Sequence, residues 1–200
     1  TTLLRSIAGV HLPARGTVTV GDRVPSPGID VALCPQEPEV LLFAETVGEE
    51  VRATRRARRL PDDPGPTLEA LGISALATRH PREVSAGQRL LVAVAAVAAA
   101  EAPVLLLDEP TRGLDPWSKE RLAGFLRTHA AGGGAAMVAT HDVELAASFA
   151  SRVVILAGGE VIADGDPGVV LGDSTVFAPQ MTRAFGAGWL TPEQVAEALA

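Results

Sequence analysis

Val104-Leu105-Leu106-Leu107-Asp108-Glu109-Pro110-Thr111-Arg112-Gly113-Leu114-Asp115 is the stretch on which the reading of the whole chain turns. Four apolar residues run straight into two adjacent carboxylates. A short continuous apolar run before a turn reads as a strand buried on both faces of a parallel sheet. In open α/β sheets, reactive groups gather at the carboxyl ends of such strands. Asp108 and Glu109 lie at that end, Asp108 as a candidate metal ligand and Glu109 as a candidate base beside it. Two solvated loop residues after a strand would look the same, because strand–Asp–Glu is a common pattern. The rest of the chain has to separate these readings.

Downstream, Asp115-Pro116 starts a helix, with Asp115 as cap and the proline in its first turn. Gly132 to Gly134 breaks the chain, and Ala135 to Thr140 reads as a second buried strand. His141-Asp142 sits at its end, with Asp142 able to cap a helix over 143–150. A lone histidine is usually structural. Here it ends a strand parallel to the one that ends in Asp108-Glu109, so a shared site is expected. Val153 to Leu156, Gly158-Gly159 and Glu160 to Ala163 read as a hairpin with a Gly-Gly turn. Trp189 to Ala200 reads as a short amphipathic helix.

Upstream, Val84-Ser85-Ala86-Gly87-Gln88 opens a long small-residue helix that runs to about Ala100. It is apolar nearly all round and should be buried. Ser85 can cap it, Gly87 permits close approach, and the free N–H groups favour a phosphate. Earlier, Thr46 is the expected cap of a helix, with Glu49 as capping-box partner. The arginines at 52, 55, 56, 58 and 59 follow. They fit a solvated helix face first, and a contact with a membrane surface or an acidic partner second. Thr67 to Leu76 reads as a helix interrupted at Gly72. Gly16 to Gly21 alternates like a half-exposed strand. Ile29 to Cys34 reads as a buried strand, which puts Gln36 at a strand-to-loop junction. Thr1 and Thr2 open a helix that carries Leu3, Leu4 and Ile7 and closes at Gly9. Their hydroxyls fit plain N-caps. They fit equally the last part of a phosphate loop, G-x-x-x-x-G-K-[ST], whose glycines and lysine would precede residue 1.

Composition limits the function classes. The 200 residues are 47% hydrophobic and 20% charged, enough for one α/β core with a small lobe. The net charge of −7 argues against nucleic-acid binding, which needs a basic face. The charge-free run from Leu90 to Ala100 is too short to span a bilayer. The single cysteine, Cys34, excludes an internal disulfide and reads as a small buried hydrophobe. No signal peptide is visible, and a first residue other than Met suggests an incomplete N-terminus.

In order, the chain presents hydroxyls at a helix start, Gln36, Ser85-x-Gly87-Gln88, Asp108-Glu109, Asp115 and His141. This order resembles the nucleotide-binding ATPase of ABC transporters over essentially the whole chain. The segment from Gln36 to Val51 and the form Thr111-Arg-Gly-Leu-Asp115 are most similar to the ATPases of energy-coupling-factor (ECF) importers. Those importers take up vitamins and transition metals such as cobalt or nickel. The resemblance implies an α/β fold: a P-loop NTPase core with a mostly parallel sheet, an antiparallel β part and a small helical lobe. It implies one domain over residues 1–200, with the lobe at about 40–100.

The resemblance also implies roles. Thr1 would bind Mg²⁺ with its hydroxyl, and Thr2 would lie near the α-phosphate of ATP. Gln36 would touch Mg²⁺ and the attacking water and report occupancy to the membrane subunit. Asp108 would hold Mg²⁺ through water, Glu109 would orient or deprotonate the attacking water, and His141 would contact the γ-phosphate. Ser85, Gly87 and Gln88 would bind the γ-phosphate held by a second ABC ATPase domain, with Asp115 at the seam. That second domain would be an identical copy, a paralogue or the other half of a fused chain. A transmembrane coupling subunit and a separate substrate-binding membrane subunit would complete the assembly at the cytoplasmic face of the membrane. The phosphate loop, its lysine and the aromatic that stacks on adenine would lie before Thr1, so residues 1–200 alone would hold ATP weakly. Ala86 replaces the usual glycine of the signature, with a mild effect expected. Two competing readings are a non-hydrolysing regulatory ABC half and a soluble ABC ATPase of DNA maintenance. Glu109 with His141 speaks against the first. The short Gln36–Ser85 interval, which leaves no room for a coiled-coil insertion, speaks against the second.

Overall fold

The computed structural model describes residues 1–111, 113–174 and 176–199; Arg112 and Ala200, which the sequence reading includes, lie outside them. The chain divides into two compact units, Thr1–Ala139 and Thr140–Ala200.

In the first unit, β1 (Val31–Cys34), β2 (Val104–Asp108) and β3 (Ala135–Ala139) form a parallel sheet in that order. Cys34 stands opposite Leu107, and Asp108 opposite Ala139. The four apolar residues of β2 lie in the middle strand. Leu105, Leu106 and Leu107 are buried although they alternate between faces, as a sheet covered on both sides requires. Leu106 joins Leu4, Ala8 and Val31 in one core cluster. Leu4 and Ala8 belong to α1 (Thr2–Ile7) and its C-cap, which pack on β1 and β2. Leu4 alone of the predicted apolar face is fully buried, and Leu3 is exposed.

The strand at 135–139 forms as expected but is half exposed rather than buried. It pairs with β2 on one side, and no described strand lies on the other, so it keeps an open edge. The expected strand over 16–21 does not form. Val20 bridges only Arg23 across a tight turn, and an alternating run without a ladder partner stays irregular. The strand expected from Ile29 starts at Val31, because Ile29 and Asp30 close a turn on the Ser26 carbonyl.

Between β1 and β2 the chain is helical. It forms a 3-10 turn at Pro38–Leu41, then α2 (Val47–Ala57), α3 (Gly65–Ala70), 3-10 turns at Ser74–Leu76 and Pro81–Glu83, and α4 (Ala86–Ala98). The helix predicted over 67–76 is split at Gly72, whose φ of +67° no helix accommodates. Thr46 caps α2 by accepting the Glu49 N–H. The Glu49 carboxylate, expected to complete a capping box, pairs instead with Arg52 and Arg56. The arginine run is mostly answered within the fold. Arg52 and Arg56 also reach Asp62, while Arg58 donates to the Ala100 carbonyl. Arg55, 8% exposed, donates to Pro61 O at 2.6 Å and Glu101 Oε1 at 2.9 Å. This guanidinium is a staple between the end of α2 and the turn that leads into β2. These partners favour the solvated-face reading of the run.

After β2, α5 (Pro116–Ala131) crosses back to β3 and packs on it. The second unit holds α6 (Val143–Phe149), capped by Asp142, and an antiparallel hairpin of β4 (Val153–Ala157) and β5 (Glu160–Gly165). Gly158 and Gly159 both take positive φ at its turn, the conformation for which a Gly-Gly pair is selected. It continues through α7 (Pro167–Val170), α8 (Gln180–Phe185) and α9 (Pro192–Leu199). The helices α7 and α8 were not anticipated, although Asp166-Pro167 is a cap followed by proline at N1. No helix among the described residues is long and apolar enough to cross a membrane.

Cys34 is buried, and desolvation, with the Asp108 charge adding to it, pushes its thiol up to about 12. The folded state therefore keeps a proton that the unfolded thiol loses from about pH 9. Stability must fall as pH rises above that point, by about 1.4 kcal/mol per pH unit from this group. The chain has no tyrosine and Lys119 is its one lysine, so few side chains compete in this range. Urea titrations between pH 9 and 10.5 should show the slope reduced in Cys34→Ala. Equal slopes would remove Cys34 as its source.

Candidate functional site

The site is built on the carboxyl end of β2. Asp108 ends the strand and is 5% exposed. Its Oδ1 is buried with no hydrogen-bond partner among the described residues, and it lies 3.5 Å from the Thr1 backbone nitrogen. Thr1 is the N-cap of α1, yet its side chain makes no capping bond. Of the two readings of this hydroxyl, simple capping is thus not the one adopted. A buried carboxylate oxygen that no hydrogen-bond donor meets, close to the start of α1, suits a hard divalent cation with oxygen ligands. Among the described residues no group of three or more His, Cys, Asp or Glu could hold a metal. Mg²⁺ fits such a donor set, since it keeps several waters and takes phosphate oxygens in place of a protein cage.

Glu109, half-buried, has φ +52°, and its N–H donates to the Ala139 carbonyl at 2.8 Å. A left-handed conformation at a non-glycine residue costs roughly 1–2 kcal/mol. It turns the chain sharply off the strand. Such outliers gather at functional sites.

Gln36 is exposed, two residues beyond β1, at the same end of the sheet as Asp108. Thr2 is the first residue of α1. His141 stands two residues beyond the end of β3 and belongs to the second unit.

Ser85 and Gln88 form a complete capping box at the start of α4. Ser85 Oγ accepts the Gln88 N–H at 3.2 Å, and Gln88 Oε1 accepts the Ser85 N–H at 3.1 Å. Accepting that bond leaves the Ser85 O–H to act as a donor. Gly87 is buried against the loop before α5. A Cβ there would meet Leu114 Cδ2 at 3.3 Å and the Gly113 carbonyl at 3.4 Å. Asp115 caps α5 through the Ser118 N–H at 3.0 Å and the Ser118 hydroxyl at 2.7 Å. These bonds, the hydroxyl first, hold its carboxyl below the usual range.

A second feature of this unit centres on Arg89, which escaped the sequence reading. A cleft of about 280 Å³ is lined by Glu39, Phe43, His80, Arg82 and Arg89, among others. Arg89, on α4, donates to the carbonyls of Pro81, Arg82 and Val84 and pairs with Glu39 at 2.7 Å. One signal was available: Arg89 is the lone charge in an otherwise apolar helix, and such a charge needs partners.

A family model for the ABC transporter matches residues 1–112, more than half of the chain. The chain belongs to the ABC transporter ATP-binding family. It is 48% identical, over 99% of its length, to a Streptomyces coelicolor protein described as an ABC transporter ATP-binding protein, and spans 37% of that relative. It is 33% identical to the energy-coupling factor transporter ATP-binding protein EcfA of Methanothermobacter thermautotrophicus, over 88% of this chain and 61% of that one. Among solved structures, cbiO1 of Clostridium perfringens, part of the ABC transporter complex cbiONQ, aligns with a TM-score of 0.77. The alignment covers 99% of this chain and 81% of that one at 24% identity, and therefore speaks for the fold alone. The ABC ATPase fold, with its parallel sheet, antiparallel strand pair and helices, is the one expected.

Proposed function

We propose that this chain is the ATP-binding and hydrolysing part of an ECF-type importer for a vitamin or a transition-metal ion such as cobalt or nickel. The observation that carries the reading is Asp108 at the end of β2, its buried Oδ1 without a hydrogen-bond donor, on the strand against which α1 packs. Mg²⁺, when bound, supplies charge neutralisation on the phosphates of ATP. Thr1 and Asp108 hold and orient it, with Gln36 at the exposed side. Thr2 approaches the α-phosphate. Glu109 takes or orients a proton of the attacking water, its position fixed by the strained turn. His141 contacts the γ-phosphate, a role that rests on the family resemblance.

Ser85, Gly87 and Gln88 serve a second ABC ATPase domain in a head-to-tail pair. The Ser85 O–H left by the capping box supports this, since it can be given to a phosphate. We take residues 1–200 as one ATPase domain with its helical lobe at about 40–100. It works peripherally, at the cytoplasmic face, with a transmembrane coupling subunit and a separate substrate-binding membrane subunit.

The cleft beside the 3-10 turn after Gln36 is the proposed seat of a coupling-subunit helix. Arg82 is exposed in its wall. Reconstituting the full-length ATPase with its membrane subunits tests this. Arg82→Glu is expected to cut solute uptake about tenfold, as expected of reversing one interface charge, while ATP hydrolysis persists. Uptake at the wild-type rate would take Arg82 out of the interface.

A further inference from the structure

Glu50 takes no part in the phosphate site, yet it is the most deeply buried carboxylate described, at 2% exposed. It lies in the first turn of α2. Burial raises its pKa, opposed first by hydrogen bonding from the Ala44 and Phe43 backbone and then by the nearby His80. A buried carboxylate is retained only where donors are aimed at it. Here the donor belongs to the loop that enters α2: the N–H of the Phe43–Ala44 peptide reaches Glu50 Oε1 at 2.6 Å.

The consequence falls on Phe43. Its backbone is drawn inward and its ring is left 81% exposed in the wall of the cleft. Neighbouring contacts fix the rest of that wall. The Val47 and Gly48 N–H groups donate to the carbonyls of Arg79 and Ala77. Glu39, in the 3-10 turn that separates Gln36 from Phe43, is held by Arg89 of α4. The loop between Leu42 and Glu45 has no ladder or helix of its own, and Glu50 supplies its anchor.

We infer that Glu50 is a positioning residue for partner docking: its carboxylate clamps the Phe43–Ala44 backbone and so sets the aromatic wall of the cleft relative to Gln36. The inference rests on the cleft being the docking seat of the coupling subunit. A neutral glutamine in its place keeps one acceptor oxygen but loses the charge that strengthens its bond to the Ala44 N–H, so the clamp weakens without a change in side-chain size.

The test uses the full-length ATPase with its membrane subunits and two variants, Glu50→Gln and Phe43→Ala. In Glu50→Gln, amide exchange at Ala44 should quicken about tenfold, the weakening of one charge-assisted hydrogen bond, with Val51–Ala57 unchanged. Affinity for the membrane subunits should fall about tenfold in both variants, as for loss of an aromatic anchor. ATP hydrolysis by the ATPase pair free of membrane subunits should stay within about twofold of wild type, since no contact to nucleotide is altered. If Phe43→Ala weakens docking and Glu50→Gln does not, the inference about Glu50 is overturned and the docking seat stands. If neither variant weakens docking, the docking seat itself falls, and the inference with it. If Glu50→Gln speeds exchange throughout α2 or lowers hydrolysis by the free pair, Glu50 is a structural residue and the inference is overturned.

Discussion

Glu109→Gln is expected to lower ATP turnover of the full-length protein with its partner ATPase by about 10²- to 10⁴-fold, the range for removing a general base. ATP binding should remain within a few-fold of wild type. Glutamine keeps the shape of the side chain and an oxygen acceptor, so the left-handed turn at 109 and the N–H bond to Ala139 are undisturbed. What is lost is the ability to carry a proton and a full negative charge. The measurement is single-turnover hydrolysis under saturating Mg²⁺-ATP, alongside nucleotide binding. Turnover at the wild-type rate would remove Glu109 as the base. A parallel loss of binding would make it a binding residue. Asp108, next to it on the strand, should give the other pattern on neutralisation: a raised Mg²⁺ requirement, because its buried oxygen is assigned to the metal.

Leu106→Ala is expected to cost about 2–5 kcal/mol of stability, the range for truncating a fully buried leucine. That is a large share of the 5–15 kcal/mol that holds a typical domain together. Leu106 is wholly buried in the central strand, against Leu4, Ala8 and Val31. Those neighbours sit on α1 and β1, whose positions are set by the rest of the sheet, so the cavity cannot readily collapse. Urea denaturation of the full-length protein should show the midpoint lowered, with Leu156→Ala, on the exposed side of the hairpin, changing it little. A cost for Leu106→Ala below about 1 kcal/mol would mean that the strand is not the organising core. The damage should reach function too. α1 carries Thr1 to Asp108, and Leu4 is the contact that seats α1 on the sheet.

Which features could be read in the sequence follows from how local their causes are. The strand Val104–Asp108 was legible because an apolar run and its terminating carboxylates lie side by side. The caps at Thr46, Ser85, Asp115 and Asp142 were legible for the same reason, since each bonds a backbone N–H within three residues. Non-local causes were not legible. The alternation at 16–21 predicts a strand, but a strand needs a ladder partner that local sequence does not announce. The arginines on α2 look like a surface patch until Glu101 and the Ala100 carbonyl arrive from the far end of the lobe. Arg89 and Glu39 stand fifty positions apart and meet only in the folded lobe. Glu50 looked like one more acidic residue of a helix start, and its burial depends on how the loop before it folds back. In the site, Thr1, Gln36 and Asp108 were legible as positions of a family pattern, and the roles proposed for them rest on it. That the Thr1 hydroxyl stays out of the cap could be learned only from the geometry.

The contact between Gly87 and Leu114 has a mechanical consequence. The space there is filled by a single hydrogen, and an added carbon would press on both Leu114 and the Gly113 carbonyl. The turn at 85–88 and the loop at 113–115 are therefore in close contact, with a few tenths of an ångström to spare. If the turn is driven inward, Leu114 must move, and because Asp115 is fastened to the start of α5 through Ser118, that displacement is passed into a sixteen-residue helix. The two segments behave as meshed gear teeth: an approach by one is timed to the other by contact, with no need of a separate signal.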